Sequence, residues 1–104
     1  MNKNTLPTPA QVVEMYEIML TLSDIYNTKT TKENIYRVDF NITNDAWNIG
    51  EVFVGLSVSK HFKDSETGED KCELIENISK STQYTTVDET ISLMREAIER
   101  AKSL

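Results

Sequence analysis

The sequence predicts an α+β domain with the order α-β-β-β-α, in which two helices flank a three-stranded antiparallel sheet. Three observations carry this prediction. Helix-start signatures occur near each end of the chain, at Thr8 and Thr86. Three blocks of alternating apolar and polar residues lie between them. The connections are short, which gives a meander because parallel strands need a crossover of a dozen or more residues. We expect one domain over residues 8–104, preceded by a flexible arm at 1–7.

The first helix is predicted over residues 9–26. Thr8 can cap its N-terminus, Pro9 suits the first helical position, and Gln11 completes a capping box. Apolar residues then recur at helical spacing on one side. The helix is expected to end before Asn27, where a run of poor helix formers begins.

The second helix is predicted over residues 87–102. Thr86 and Glu89 form another capping box, and acidic residues in the first turn are favoured there by the helix dipole. Arg100 and Lys102 carry the favourable charge at the opposite end. Each helix has an apolar stripe, so we expect both helices to lie side by side on one face of the sheet.

Period-two alternation predicts three strands, at 35–43, 47–61 and 71–79. In the second strand the apolar parity changes across Gly50, which indicates a bulge there. In the third strand, Cys72 and Leu74 fall at inward positions and Ile75 is expected to turn outward. The predicted core consists of Val12, Tyr16, Met19, Val38, Phe40, Val54, Leu56, Leu74, Ile91, Met94 and Ile98.

The composition restricts the classes of partner. The 104 residues carry a net charge of −6, which argues against a general affinity for nucleic acid or anionic membranes, since Lys and Arg drive phosphate binding. No apolar stretch approaches the roughly 20 residues that span a bilayer. A single cysteine permits no internal disulfide, and the N-terminus lacks the apolar run of a signal peptide. We therefore expect a cytoplasmic protein that does not enter membranes.

Two chemical alternatives come from individual residues. Cys72 and His61 could meet across a hairpin as a nucleophile and base, but the inward position predicted for Cys72 favours an inert buried thiol. The acidic run at 64–70 suggests a calcium site. The EF-hand pattern requires glycine as the sixth residue of its loop, however, and Gly68 is the fifth residue of this run. We therefore predict no catalytic residue, no metal and no cofactor.

The element order resembles that of the double-stranded-RNA-binding domain. That resemblance implies a Lys-rich start to the second helix, where this chain instead has Asp88 and Glu89. The same order, combined with an acidic surface and a composition typical of AT-rich coding, is similar to that of small phage-encoded inhibitors, including some anti-CRISPR proteins. This second resemblance implies carboxylates that occupy a site where a host protein expects phosphates.

The acidic residues around the second turn are the strongest functional signal. We predict a small acidic, non-enzymatic protein-binding module whose partner has a basic surface. The second resemblance implies an inhibitor or accessory protein that a phage or mobile element encodes. The alternatives are a nucleic-acid-binding domain of the double-stranded-RNA-binding type, and a small-ligand carrier or enzyme subunit. The oligomeric state stays open. The predicted contact residues are Asp64, Glu66, Glu69, Asp70 and Glu73 on the hairpin, with Phe53 on the open face of the sheet.

Overall fold

A computed structural model describes residues 6–104 and confirms the predicted α-β-β-β-α order. The sheet has the strand order β1-β2-β3, and both strand pairs are antiparallel. The predicted arm at 1–7 lies mostly outside the described residues. The elements are α1 (Pro9–Asn27), β1 (Asn34–Asn44), β2 (Val52–Lys63), β3 (Asp70–Ser81) and α2 (Val87–Lys102).

Both predicted capping boxes form. The Gln11 backbone N–H donates to the Thr8 hydroxyl at 3.2 Å, and the Thr8 N–H donates to the Gln11 side chain at 2.9 Å. Thr86 and Glu89 make the same reciprocal pair, at 3.1 and 3.0 Å. These bonds satisfy N–H groups that a helix N-terminus otherwise leaves without a partner.

The two helices run parallel to each other across one face of the sheet. Near their N-termini, the Gln11 side chain donates to the Asp88 carboxylate at 3.0 Å. Near their C-termini, the Lys29 ammonium donates to the Leu104 carbonyl at 3.2 Å. An Arg95–Glu14 ion pair lies between these two contacts. Both helices therefore begin at the end of the sheet that carries the β1–β2 turn.

The core lies between this helical layer and the covered face of the sheet. Residues of one parity on the central strand face the helices, as the alternation predicts. Two further predicted core positions, Ile91 and Met94, are buried on α2. The central contributions are Val54, Leu56 and Val58 from β2, Met15, Leu22 and Tyr26 from α1, and Met94, Ala97 and Ala101 from α2.

A bulge in β3 overturns three predictions about which face a side chain occupies. Val58 pairs with Glu76 but Ser59 pairs with Leu74, so Ile75 is the extra residue. The parity of β3 reverses at this bulge. Leu74 is therefore 60 % exposed and Cys72 is exposed on the open face, while Ile75 is half-buried and packs against the core.

Three other predictions are wrong: the start of the second strand, the bulge at Gly50 and the burial of Tyr16. The second strand begins at Val52 rather than at residue 47, and Gly50 lies in the preceding turn with φ +86° rather than in a bulge. Tyr16 is 45 % exposed rather than buried. It lies at the edge of the helical stripe, where its ring contacts Phe40 edge to face at 5.0 Å.

One buried polar atom has no hydrogen-bond partner among the described residues, the Tyr26 hydroxyl. Its ring packs against Tyr36, close to Glu76, whose carboxylate accepts two hydrogen bonds from Arg100 at 2.7 and 2.8 Å. Burial, and then the charge of Glu76, raise the pKa of Tyr26 above its ordinary value. The hydroxyl is thus desolvated without compensation.

Leu56→Ala is expected to lower the free energy of unfolding by about 2–5 kcal/mol, because it leaves a cavity in a closed core. The matched control is Leu74→Ala, which removes the same atoms from an exposed side chain and should change it by no more than about 0.5 kcal/mol. Urea denaturation followed by circular dichroism measures both values. Equal losses for the two variants would contradict the bulge at Ile75.

Tyr26→Phe is expected to raise the free energy of unfolding by about 1 kcal/mol, because it removes an unpartnered buried hydroxyl while keeping the ring. Since the folded-state pKa of Tyr26 is raised, wild type should also lose stability relative to the variant as the pH rises above 10.0. Tyr84→Phe, on an exposed ring, is the control. A less stable Tyr26→Phe variant would show that the hydroxyl does have a partner.

Candidate binding surfaces

A buried carboxylate fixes the turn between β1 and β2. The Asp45 side chain accepts hydrogen bonds from the Trp47 backbone N–H at 2.9 Å, the Asn48 amide at 2.9 Å and the Ser81 hydroxyl at 2.7 Å. These bonds, chiefly those from Asn48 and Ser81, hold the pKa of Asp45 below its ordinary value of 3.8. The ionised carboxylate therefore ties the turn to the end of β3.

A second set of bonds ties the other side of the same turn. The Thr82 hydroxyl donates to the Glu51 carboxylate and accepts from the Val52 N–H at 3.0 Å. The Thr82 backbone N–H donates to the Val52 carbonyl at 2.9 Å. Gly50 supplies the left-handed conformation that closes the turn. With both sides anchored, the residues between Asp45 and Glu51 are held in one arrangement.

This fixed turn carries large apolar side chains into solvent. Trp47 is 89 % exposed, Ile49 is fully exposed, and Tyr84, between β3 and α2, is 77 % exposed. Trp47, Tyr84 and Phe53 line one shallow groove of about 470 Å³, with Ile49 beside it in the turn. We call Trp47, Ile49, Phe53 and Tyr84 the turn patch. A concentration of exposed apolar residues is typical of an interaction site.

Acidic residues belong to the same end of the molecule as the turn patch. Glu51 closes the turn, and Asp88 and Glu89 occupy the first turn of α2, soon after Tyr84. Hydrogen bonds from the backbone N–H and hydroxyl of Thr86 lower the pKa of Glu89, so its carboxylate stays charged. The groove itself is lined by Lys80 as well as by Asp45, so these acids lie at the same end of the molecule as the turn patch without enclosing it.

The predicted acidic hairpin is exposed, but its carboxylates do not act alike. Asp64 accepts from the backbone N–H groups of Glu66 and Thr67, at 2.8 and 3.2 Å, so it shapes the tip of the turn. Asp70 pairs with Lys63 at 2.8 Å, which lowers the pKa of Asp70.

The remaining carboxylates of the hairpin differ in their pairing. Glu69 lies 3.7 Å from Lys71. Within residues 6–104, Glu66 and Glu73 make no salt bridge. Two of the five predicted hairpin acids are thus partly neutralised by lysines, and two others have no basic partner among the residues that the structure describes.

The structure does not bring the predicted contact residues together. Phe53 and Asp64 are eleven positions apart on one strand and its turn, or about 36 Å at roughly 3.3 Å per residue. Phe53 belongs to the turn patch, and the acids lie at the opposite end of a molecule 55 Å long. Sequence reasoning missed Trp47, Ile49 and Tyr84. A signal for Trp47 and Ile49 was present in the sequence. The neighbouring residues Asp45, Asn48 and Gly50 favour a turn and could have placed both outside a strand.

Lysines share the hairpin end with the acids. Lys32, Lys63 and Lys71 are among the residues that line a groove of about 520 Å³ there, together with His61 and Asp70. The charge at this end is consequently mixed, whereas the sequence suggested a negative surface.

The open face of the sheet brings Cys72 and His61 together. The Cys72 sulfur lies 3.9 Å from His61 Nε2, and the Ser59 hydroxyl oxygen lies 3.0 Å from the same nitrogen. The second partner of this histidine is a serine, not the carboxylate that often orients a catalytic base. Within residues 6–104, no group of three or more His, Cys, Asp or Glu side chains could hold a metal ion.

Comparisons with protein families, curated proteins and solved structures gave no match. In the described part of the chain, no helix combines the length and the apolar character that crossing a membrane requires.

Asp45→Asn is expected to lower the melting temperature at neutral pH, because an amide N–H would face the donors of Ser81 and Asn48. The lowered pKa of Asp45 means that its stabilisation is complete above the unfolded value of 3.8 and is lost as the pH falls through the folded pKa. The stability difference between variant and wild type should therefore be constant down to about pH 5 and shrink below 3.8.

The matched control for this variant is Glu66→Gln, because that carboxylate is exposed and makes no salt bridge within the described residues. Its melting temperature at neutral pH should equal that of wild type. A stability difference for Asp45→Asn that does not change between neutral and acidic pH would contradict the role of the carboxylate.

Proposed function

We propose that this protein is a non-enzymatic protein-binding module and that the turn patch is its main contact surface. The carrying observation is that a doubly anchored turn holds Trp47 and Ile49 in solvent. Contact between water and apolar side chains of this size is unfavourable, so burying them against a partner makes the free energy of binding more favourable. Because the turn is already fixed, binding loses little conformational entropy.

The residue types of the turn patch suit an interface centre. Trp and Tyr are the side chains most enriched among residues that dominate binding energy. Trp47, Phe53 and Tyr84 border one groove, so a side chain of the partner can enter between aromatic rings. The carboxylates of Asp88 and Glu89, at the same end of the molecule, favour a partner with basic residues beside this contact.

The net charge of −6 supports the same choice of partner. A protein with a basic surface would be steered toward this molecule from a distance, and the effect would weaken as salt rises. The acidic hairpin is a second contact in this proposal, made through the exposed carboxylates of Glu66 and Glu73. One form of this function is an inhibitor that mimics nucleic acid and is encoded by a phage or other mobile element. In that form the acidic hairpin would enter a phosphate-binding site of the partner.

Other features bear on compartment and on the alternatives. An exposed free thiol at Cys72 suits a reducing compartment, so we place the module in the cytoplasm. Binding of double-stranded RNA is less favourable, because the start of α2 presents Asp88 and Glu89 where such binding needs cations.

The test compares capture of binding partners from cell lysate by the immobilised wild-type chain and by two variants. Trp47→Ala with Ile49→Ala should reduce recovery of a specific partner at least about 30-fold, the effect of losing one dominant contact of roughly 2 kcal/mol. Neutralising the hairpin with Asp64→Asn, Glu66→Gln, Glu69→Gln and Asp70→Asn should reduce recovery mainly at low salt.

The matched control is Leu74→Ala, which truncates an exposed apolar side chain outside the turn patch and should leave recovery unchanged. Circular dichroism verifies that every variant is folded. Equal recovery by wild type and the Trp47/Ile49 variant would refute the turn patch as the contact. Salt-sensitive binding of labelled double-stranded RNA, with no protein partner, would instead support the nucleic-acid alternative.

A further inference from the structure

β3 is an edge strand that pairs with β2 on one side only. Thr82 donates its N–H to the Val52 carbonyl, in register with the β2–β3 ladder. Between the bulge and the end of the strand, even-numbered residues of β3 therefore bond to β2. By the alternation of antiparallel pairing, the backbone groups of Asn77 and Ser79 point away from the sheet. Both residues are exposed.

These outward backbone groups are free over a short stretch with defined ends. Within residues 6–104, no hydrogen bond occupies the backbone N–H or C=O of Asn77 or Ser79. At one end, the bulge at Ile75 interrupts the alternation. At the other end, the Ser81 carbonyl already accepts from two N–H groups of the following turn. Two donors and two acceptors thus remain along residues 77–81, about 16 Å at roughly 3.3 Å per residue.

The groove of the turn patch adjoins this free stretch. Ser79 and Ser81 of β3 form part of its wall, together with Phe53, which pairs with Ser81 from the neighbouring strand. Tyr84, on the connection that follows β3, lines the same groove and is 77 % exposed. Unused backbone hydrogen-bonding groups and an aromatic groove therefore lie side by side at the end of β3.

We propose that the partner of the turn patch contributes an extended segment, which pairs antiparallel with β3 at Asn77 and Ser79 and places an apolar side chain in the groove. This inference rests on the proposed function and specifies the kind of partner. Addition of a strand to a sheet edge is a general mode of peptide recognition. Its main-chain bonds give affinity, and pockets for alternate side chains give specificity.

The geometry of pairing assigns the side chains of the segment. Ser79, Ser81 and Phe53 share the open face of the sheet, because they lie at matching positions in the register. A residue that exchanges both backbone hydrogen bonds with Ser79 has its own side chain on that same face. The residues of the segment that make the main-chain bonds are therefore also the ones that offer apolar side chains to the groove.

Charge assigns the ends of the segment. Asp88 and Glu89, in the first turn of α2, follow Tyr84 closely in the chain, and within residues 6–104 neither has a basic partner. An antiparallel segment begins beside Ser81, so its N-terminal end carries a basic residue that complements these carboxylates. Lys80 also lines the groove, which disfavours a basic side chain within the groove itself.

A synthetic peptide titrated into the isotope-labelled full chain tests the proposal by NMR. The probe is acetyl-Arg-Val-Thr-Leu-Thr-Val-Thr-amide, in which apolar residues alternate with threonines behind a basic start. It should shift the backbone amide signals of Asn77 and Ser79 and the indole signal of Trp47, with a dissociation constant between about 0.1 and 5 mM. Replacing its Arg with Glu should raise that constant.

Two methylated peptides are the matched controls. N-methylation of Val, Leu and Val removes the donors that face β3 and should raise the dissociation constant at least about tenfold, whereas N-methylation of the three threonines removes donors that face solvent and should change it little. Both peptides keep every side chain of the probe. Equal binding of the two, or no binding of the probe at about 5 mM, overturns the proposal.

Variants of the protein separate the strand edge from the turn patch. Ser79→Pro removes an N–H that the β2–β3 ladder does not use and should weaken both the probe and partner capture. The matched control is Cys72→Pro, beyond the bulge, where the bond from the Asp64 N–H to the Glu69 carbonyl places the Cys72 N–H outward as well. Circular dichroism verifies folding. Capture that is lost with Trp47→Ala but unchanged by Ser79→Pro overturns the added strand and leaves the turn patch as the contact.

Discussion

The arrangement of this domain depends on the single face that its central strand turns toward the helices. Val54, Leu56 and Val58 of β2 are buried, and the registers of both neighbouring strands are fixed relative to them. Two helices cover only this face of a three-stranded sheet. Apolar side chains that cannot reach it, such as those of the turn patch, are left at its borders. The proposed contact surface therefore follows from how little surface a small sheet can cover.

Sequence reasoning succeeded where the determining interactions are local. The capping boxes at Thr8 and Thr86 involve neighbours three residues apart, and the alternation in β1 is continuous, so both could be predicted. The bulge at Ile75 could not, because consecutive apolar residues in β3 are compatible with either parity. Which one is buried depends on pairing with Ser59 across the sheet, and this is information that the local pattern does not contain.

The candidate site shows the same limit for charge. The number of acidic residues near the second turn was evident, but their roles depend on partners brought in from elsewhere. Asp64 bonds to its own turn, and Asp70 is paired by Lys63 from the opposite strand. Aromatic residues are similarly ambiguous, because Trp47 fits an alternating pattern as well as a turn. The exposure of Trp47 is determined by three hydrogen bonds that hold the turn. The buried Asp45 carboxylate accepts them from Trp47, Asn48 and Ser81.

The position of Trp47 also determines what optical methods can detect. It is the only tryptophan in the chain, and 89 % of its surface is in water in the native state. Unfolding therefore changes its surroundings little, so tryptophan emission is a poor measure of the folding transition. A ligand that covers the turn patch would move the indole from water into an apolar site and shift its emission to shorter wavelength. The fluorescence of Trp47 is therefore expected to report binding at the turn patch and to change little when the protein unfolds.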